Sequence, residues 1–337
     1  MRILKKLLLG VAAFAVLLVV AGFFLPRTAH VERHVQIKAP PSTVFTVLNG
    51  FRQFPRWSPW QGADPDMSVT FSGPPMGVGA ALSWSGNASV GTGRQEIIES
   101  EPYRRILMRL EFGDFGGQFL APFTVEPIAG GTQLTWGFDA DYGSNILGRY
   151  FGLLSDRMLG PDYETGLARL KALVESLPPE DFSRLDVTVV EAKAEPFVFV
   201  SGRSALESRA LGVALGVAYS KVSGFLSAHG VEPSGAALAV FHGEQEGLLY
   251  FDAGLALGDA TVAPAGEIRI GLTPAGPAVR AVWRGEDAEL PAAHRQLKAY
   301  LAAAGLEQAG PSWERYPGGP AAVANPERVT EIYATVK

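Results

Sequence analysis

Leu7 to Leu25 is a run of 19 residues without a charged side chain, and at ~1.5 Å rise per residue a helix of that length approaches the ~30 Å core of a bilayer. Arg2, Lys5 and Lys6 precede the run, while the far side carries Arg27, Glu32 and Arg33. The positive-inside rule therefore predicts a cytoplasmic N-terminus with everything beyond the run outside. A secretory leader would need a small-x-small cleavage site. None stands cleanly before Pro26, so an uncleaved anchor over residues 1–28 is the expectation.

At ~100 to 200 residues per domain, 337 residues predict two domains, and 47% hydrophobic with 19% charged is a globular composition. Formal net charge is −5, and setting aside Arg2, Lys5 and Lys6 leaves −8 for the remainder. Such a balance offers no footprint for a nucleic acid. With no cysteine, disulfides, thiolate nucleophiles, iron–sulfur clusters, cysteine zinc sites and lipidation at cysteine are excluded.

Residues 30 to 38 alternate as a strand, and Ala39-Pro40-Pro41-Ser42 predicts a turn with Ser42 as N-cap of a short helix to Asn49. Strand-like runs follow at 68–72, 80–85, 93–99, 105–112, 118–126 and 133–140, separated by Gly, Pro and Asn clusters. They predict an antiparallel meander. A helical stretch from Ile146 to Leu177 comes next, punctuated at Gly160-Pro161, and its Tyr163, Leu167, Leu170, Val174 and Leu177 form one apolar stripe to lie on the sheet. Asp139 and Asp141 share a strand face, as a general acid/base pair would, but at a strand end a solvated terminus is the simpler reading.

The stretches VQIKAPPSTVFTVLNGFRQFPRWSPW (35–60), GVGAALSWSG (77–86), QEIIESEPYRRILMRLEF (95–112) and TQLTWGFDAD (132–141) carry a resemblance to the START-like superfamily of polyketide cyclase, dehydrase and lipid-transfer domains. It covers nearly all of residues 29–180. The resemblance implies a helix-grip fold, a sheet closed by a long helix over an apolar cavity, and hence a hydrophobic guest rather than any one reaction. Trp84 and Trp136, each mid-strand, are the rings expected to touch that guest, most other aromatics being core.

After SLPPEDFS (176–183) the pattern restarts, which sets a second domain at 184–337. LSAHGVEPSGAALAVFHG (226–243) superimposes without gaps on LAAAGLEQAGPSWERYPG (301–318), an offset of 75 with six identities. Each half reads strand, strand, helix, Gly-terminated loop, strand, strand, and two such units would pair their sheets and leave a groove between their helices. Trp313-Glu314-Arg315-Tyr316 stands opposite Leu238-Ala239-Val240-Phe241. An apolar strand in one copy thus carries a carboxylate and aromatics in the other.

Residues 275–318 and the closing VTEIYATVK (329–337) resemble the gyrase-inhibitor-like effector-binding domain, which commonly follows a DNA-binding helix-turn-helix in bacterial regulators. Here an apolar run and a grip domain take that place. The resemblance implies that Glu314 lies in the ligand groove, attracting cationic or polarised guests, with Trp313, Tyr316, Tyr219, Tyr250 and Trp283 as walls. In hydrolytic relatives such a Glu can act as general base towards water. The competing reading of Glu314 is a surface residue paired with Arg315 or Arg284.

The five histidines, His30, His34, His229, His242 and His294, form no zincin arrangement, so no metal is expected, and no cofactor. G-x-S-x-G, Walker and dinucleotide motifs are missing, and the sequon Asn87-Ala88-Ser89 carries no weight. Together these readings predict an α+β chain: an anchor helix, a START-like helix-grip domain and a tandem-repeat α+β effector-binding domain. The expected function is binding, carrying or sensing a hydrophobic small molecule or lipid. The bacterial origin suggested by both resemblances would place the domains on the outer, periplasmic side of the inner membrane. The alternative is an enzyme, a small-molecule hydrolase or a cyclase/dehydratase, using Glu314 or the grip cavity.

Overall fold

The computed structural model describes residues 2–337 except 63, 65, 89, 114–115, 233–234, 286–288 and 320–328. Ser89 of the sequon therefore lies outside the described residues, as do parts of the 226–243 and 275–318 stretches. The chain divides into two compact units, residues 1–181 with 303–305, and residues 182–302 with 306–337.

The first unit opens with α1 (Arg2–Phe24), whose apolar side chains are mostly exposed. Then come β1 (Thr28–Ile37), α2 (Pro41–Leu48), α3 (Phe54–Trp57), β2 (Ser68–Ser72), β3 (Ala81–Ser85), β4 (Thr92–Glu101), β5 (Arg105–Phe112), β6 (Gln118–Ile128), β7 (Gly131–Asp141) and α4 (Ile146–Glu175). The seven strands form one antiparallel sheet in the order β1-β7-β6-β5-β4-β3-β2, so the chain's first and last strands are neighbours. Alternation fixes the inner face. Phe119, Ala121, Phe123 and Val125 on β6 and Leu134, Trp136, Phe138 and Ala140 on β7 are all buried.

Helix α4 packs on β1, β7, α2 and α3, and it buries Tyr163, Leu167, Leu170 and Val174, the expected stripe. It is one helix of 30 residues, not two segments: it continues through Pro161. The Thr165 hydroxyl donates to the Pro161 carbonyl, and Gly160 leaves room for the Arg33 guanidinium, which holds Glu164 and Asp156. The start of α2 also differs from the expectation. Pro40 is the N-cap and Pro41 the first helical residue, where a missing N–H costs nothing; Ser42 lies inside the helix and donates to Asp181 instead.

The second unit contains β8 (Asp186–Ala192), β9 (Pro196–Ala205), α5 (Ser208–Ala228), β10 (Ala237–Gln245), β11 (Leu248–Ala256), β12 (Arg269–Leu272), β13 (Gly276–Arg284), α6 (Leu290–Ala304), β14 (Gln308–Tyr316) and β15 (Val329–Val336). Its eight strands form one antiparallel sheet in the order β12-β9-β11-β10-β14-β15-β13-β8. One face, with Val198, Ala239, Phe251 and Tyr316, packs against Leu215, Tyr219 and Val222 of α5. The other gathers Phe197, Leu238, Val240, Ala278 and Trp313.

Candidate functional sites

The first unit encloses a cavity of about 210 Å³. Its walls come from α3, the following loop, strands β2 to β7 and, from α4, Leu159 and Tyr163. Both tryptophans expected there are present. Trp84 lies against Phe112, its indole N–H donating to the Val90 carbonyl at 3.3 Å. Gly93 faces it across the strand pair, and a side chain there would collide with the indole, so this glycine makes room for the ring.

Trp136 is only 3% exposed and stacks on Tyr163 with ring centroids 3.8 Å apart. Phe123 stacks on it as well, and Trp57 and Trp60 meet it edge-on. Its indole N–H is buried and has no hydrogen-bond partner among the described residues, at a cost of ~1 to 3 kcal/mol. Burial, helped by the negative charge of Asp139, raises the Tyr163 phenol well above its ordinary pKa, which keeps it neutral. Asp139 itself bonds His30 at 2.7 Å and Asp141 accepts from the Gly143 amide, the solvated strand terminus expected of them.

In the second unit Glu314 projects from β14 and is 3% exposed. His294 Nε2 on α6 lies 2.5 Å from one carboxylate oxygen, and the Tyr316 hydroxyl donates to the other. Tyr219 of α5 meets Tyr316 edge-on at 6.4 Å, and Phe241 meets His294 at the same separation. Burial works against the His294 imidazolium, but the hydrogen bond and charge of Glu314 outweigh it and raise the pKa above its ordinary value. The imidazole keeps 35% of its side chain exposed, so it is the solvent-facing member of the cluster. Burial first, then the charge of Glu314, raises the Tyr316 phenol as well.

The other expected groove residues are distributed differently. Trp313, next to Glu314 in sequence, points to the opposite face of the sheet because strand side chains alternate, and it stacks on Tyr333 at 4.6 Å. Arg315 goes the same way, to Glu195 and Glu331, and the groups that meet the Glu314 carboxylate are His294 and Tyr316. Tyr250 lines an open depression with Ser201, His242 and Asp252. Trp283, on β13, carries a buried indole N–H with no hydrogen-bond partner among the described residues. His294 was not singled out from sequence. A signal for it existed: at the 75-residue offset that aligns Glu314 with Ala239, His294 aligns with Tyr219, a polar departure of the same kind.

Residues 28–175 match the family described as polyketide cyclase / dehydrase and lipid transport. The match spans a little under half of the chain, and it makes residues 28–175 a START-like domain, a fold that suggests ligand binding. Among solved structures, the chain is similar to norcoclaurine synthase from Thalictrum flavum, at 14% identity over 44% of this chain and 86% of that one, with a TM-score of 0.36. It is also similar to a protein from Chromobacterium violaceum, at 20% identity over 45% and 99%, with a TM-score of 0.32. A third is the Aha1 dimer from Colwellia psychrerythraea, at 16% identity over 44% and 97%, with a TM-score of 0.32. No curated protein matches the chain.

Proposed function

We propose that this is a membrane-anchored protein, held through Leu7 to Leu25, whose START-like domain binds and carries or senses a hydrophobic small molecule or lipid. The observation that carries the reading is the cavity walled by Trp84, Trp136, Phe123 and Tyr163, apolar but for a few polar groups. Such a wall suits an apolar guest. Titration with cis-parinaric acid tests it: saturable binding with quenching of tryptophan emission is expected, and Ala121→Phe, which fills the cavity from β6, should abolish it. Binding unchanged by that substitution would place the guest elsewhere.

The second unit is read as a gyrase-inhibitor-like tandem repeat that forms a second ligand module. Three features support this. Exchanging each strand for its counterpart in the other half (β8 with β12, β9 with β13, β10 with β14, β11 with β15) returns the same sheet order reversed. The aligned positions Ala239 and Glu314 are paired in register. The contacts Tyr219 to Tyr316 and His294 to Phe241 are each other's images under that exchange. The enzyme reading, a small-molecule hydrolase, draws on one observation, the imidazole held 2.5 Å from the buried Glu314 carboxylate. Turnover of lipophilic esters, lactones or epoxides that is lost in both Glu314→Gln and His294→Gln would favour it over binding alone.

A further inference from the structure

The first half of α4 carries large apolar side chains on its outside. Leu147, Leu154 and Met158 are 72%, 51% and 55% exposed, and Phe151 stands between them at 47%. Their spacing of four, three and four residues places them on one helical face. A soluble surface of this kind normally marks an interaction site.

The same stretch of α4 is tied to the end of α1. Arg149 is buried, donating to the carbonyls of Phe23 at 3.0 Å and Gly22 at 3.4 Å, so it serves two acceptors in the last turn of α1. Gly22 has no side chain to keep the helices apart, since a Cβ there would strike Ile146. One turn further down, the Tyr150 hydroxyl donates to the Leu18 carbonyl at 2.6 Å. Leu18 lies six residues before Phe24, so at ~1.5 Å per residue Tyr150 reaches about 9 Å back along α1. If α1 crosses a bilayer, that depth lies inside the acyl region, within the ~5 to 10 Å to which an interfacial helix buries its apolar face. Arg27 and Arg157 are both exposed, and Asp156 shares the Arg33 guanidinium with Glu164.

We propose that the first three turns of α4, Leu147 to Met158, lie in the surface of the same bilayer that holds α1, with the apolar face among the acyl chains. The proposal rests on the reading of α1 as an anchor. It gives the exposed stripe an occupant, lipid, and it sets Leu159 and Tyr163, which wall the cavity, one and five residues beyond the buried stretch. A guest taken from the membrane would then travel along a single helix.

Because the chain has no cysteine, single spin labels are unambiguous. Labels at Leu17→Cys on α1, Leu154→Cys, Met158→Cys and Ala168→Cys, an exposed site on the second half of α4, would be placed in full-length protein in phosphatidylcholine and phosphatidylglycerol nanodiscs. Power saturation should give positions 17, 154 and 158 more collisions with oxygen than with an aqueous nickel chelate, and position 168 the reverse. If position 17 is lipid-facing while 154 and 158 behave like 168, the docking proposal is overturned and the anchor stands. If position 17 is itself aqueous, both fall. Dipolar broadening at 154 between labelled copies would assign the stripe to a second copy of the chain and also overturn the proposal.

Discussion

Ala239 and Glu314 lie directly opposite each other on the central strand pair of the second sheet, in register across β10 and β14. They are also the two positions that the 75-residue offset aligns. On the proposed repeat, two equivalent positions thus stand face to face, with a carboxylate at one and a methyl group at the other. The methyl leaves room for His294 and Tyr316 to close on the carboxylate, one at each oxygen.

Glu314→Gln keeps the shape and the acceptor for Tyr316 but removes the charge that holds the His294 proton. Because the folded pKa of His294 is raised, the pair contributes its full stability below the ordinary value of 6.5 and loses it as pH rises through the folded pKa. The variant should therefore be destabilised most at acidic pH, with the difference from the parent shrinking above neutrality, as read by thermal melts from pH 5 to 9. A cationic guest of this module should bind more weakly by ~1.5 to 3 kcal/mol. Equal destabilisation at all pH values would remove the imidazolium from the account of this site.

Trp136→Phe retains a ring to stack on Tyr163 and Phe123 while deleting the unpaired N–H. Removing a buried unsatisfied donor offsets part of the lost packing, so stability should fall by less than the ~3 to 5 kcal/mol expected of Trp136→Ala. Affinity for an apolar guest should be nearly kept, because a ring still walls the cavity, and isothermal titration with a fatty acid checks it.

The charge bias around α1 predicts that a phosphatase fused after Lys337 is active in a bacterial host and that a cytoplasmic reporter at the same point is silent. The opposite pattern would reverse the topology.

Cutting between Pro178 and Ser183 should release two pieces, each with its own sheet and helix to bury an apolar face. Each piece is expected to melt cooperatively by calorimetry. A molten fragment from either side would mean that the two-domain reading is wrong.

Much of the fold was legible because period-two alternation is strong here: strands expected at 68–72 and 105–112 occupy those residues, and the stripe from Tyr163 to Val174 is buried. What was not legible depended on partners distant in sequence. His294 has no spacing motif of its own, and only the fold brings α6 over β14 to place it on Glu314. The resemblance puts Trp313 in one groove with Glu314, although neighbours on a strand face opposite ways. The outward stripe from Leu147 to Met158 emerges only from burial, because sequence spacing alone does not say which face of a helix meets the sheet. Pro161 looked like a break, but a proline removes one hydrogen bond and a long, well-packed helix can absorb that loss.

The central claim is that the START-like cavity holds a hydrophobic guest. Native mass spectrometry of the full-length protein released from mild detergent tests it most directly. A discrete added mass of one lipophilic molecule is expected on the parent protein and its loss on Ala121→Phe; a parent spectrum with no added mass, or the same added mass on both proteins, would contradict it.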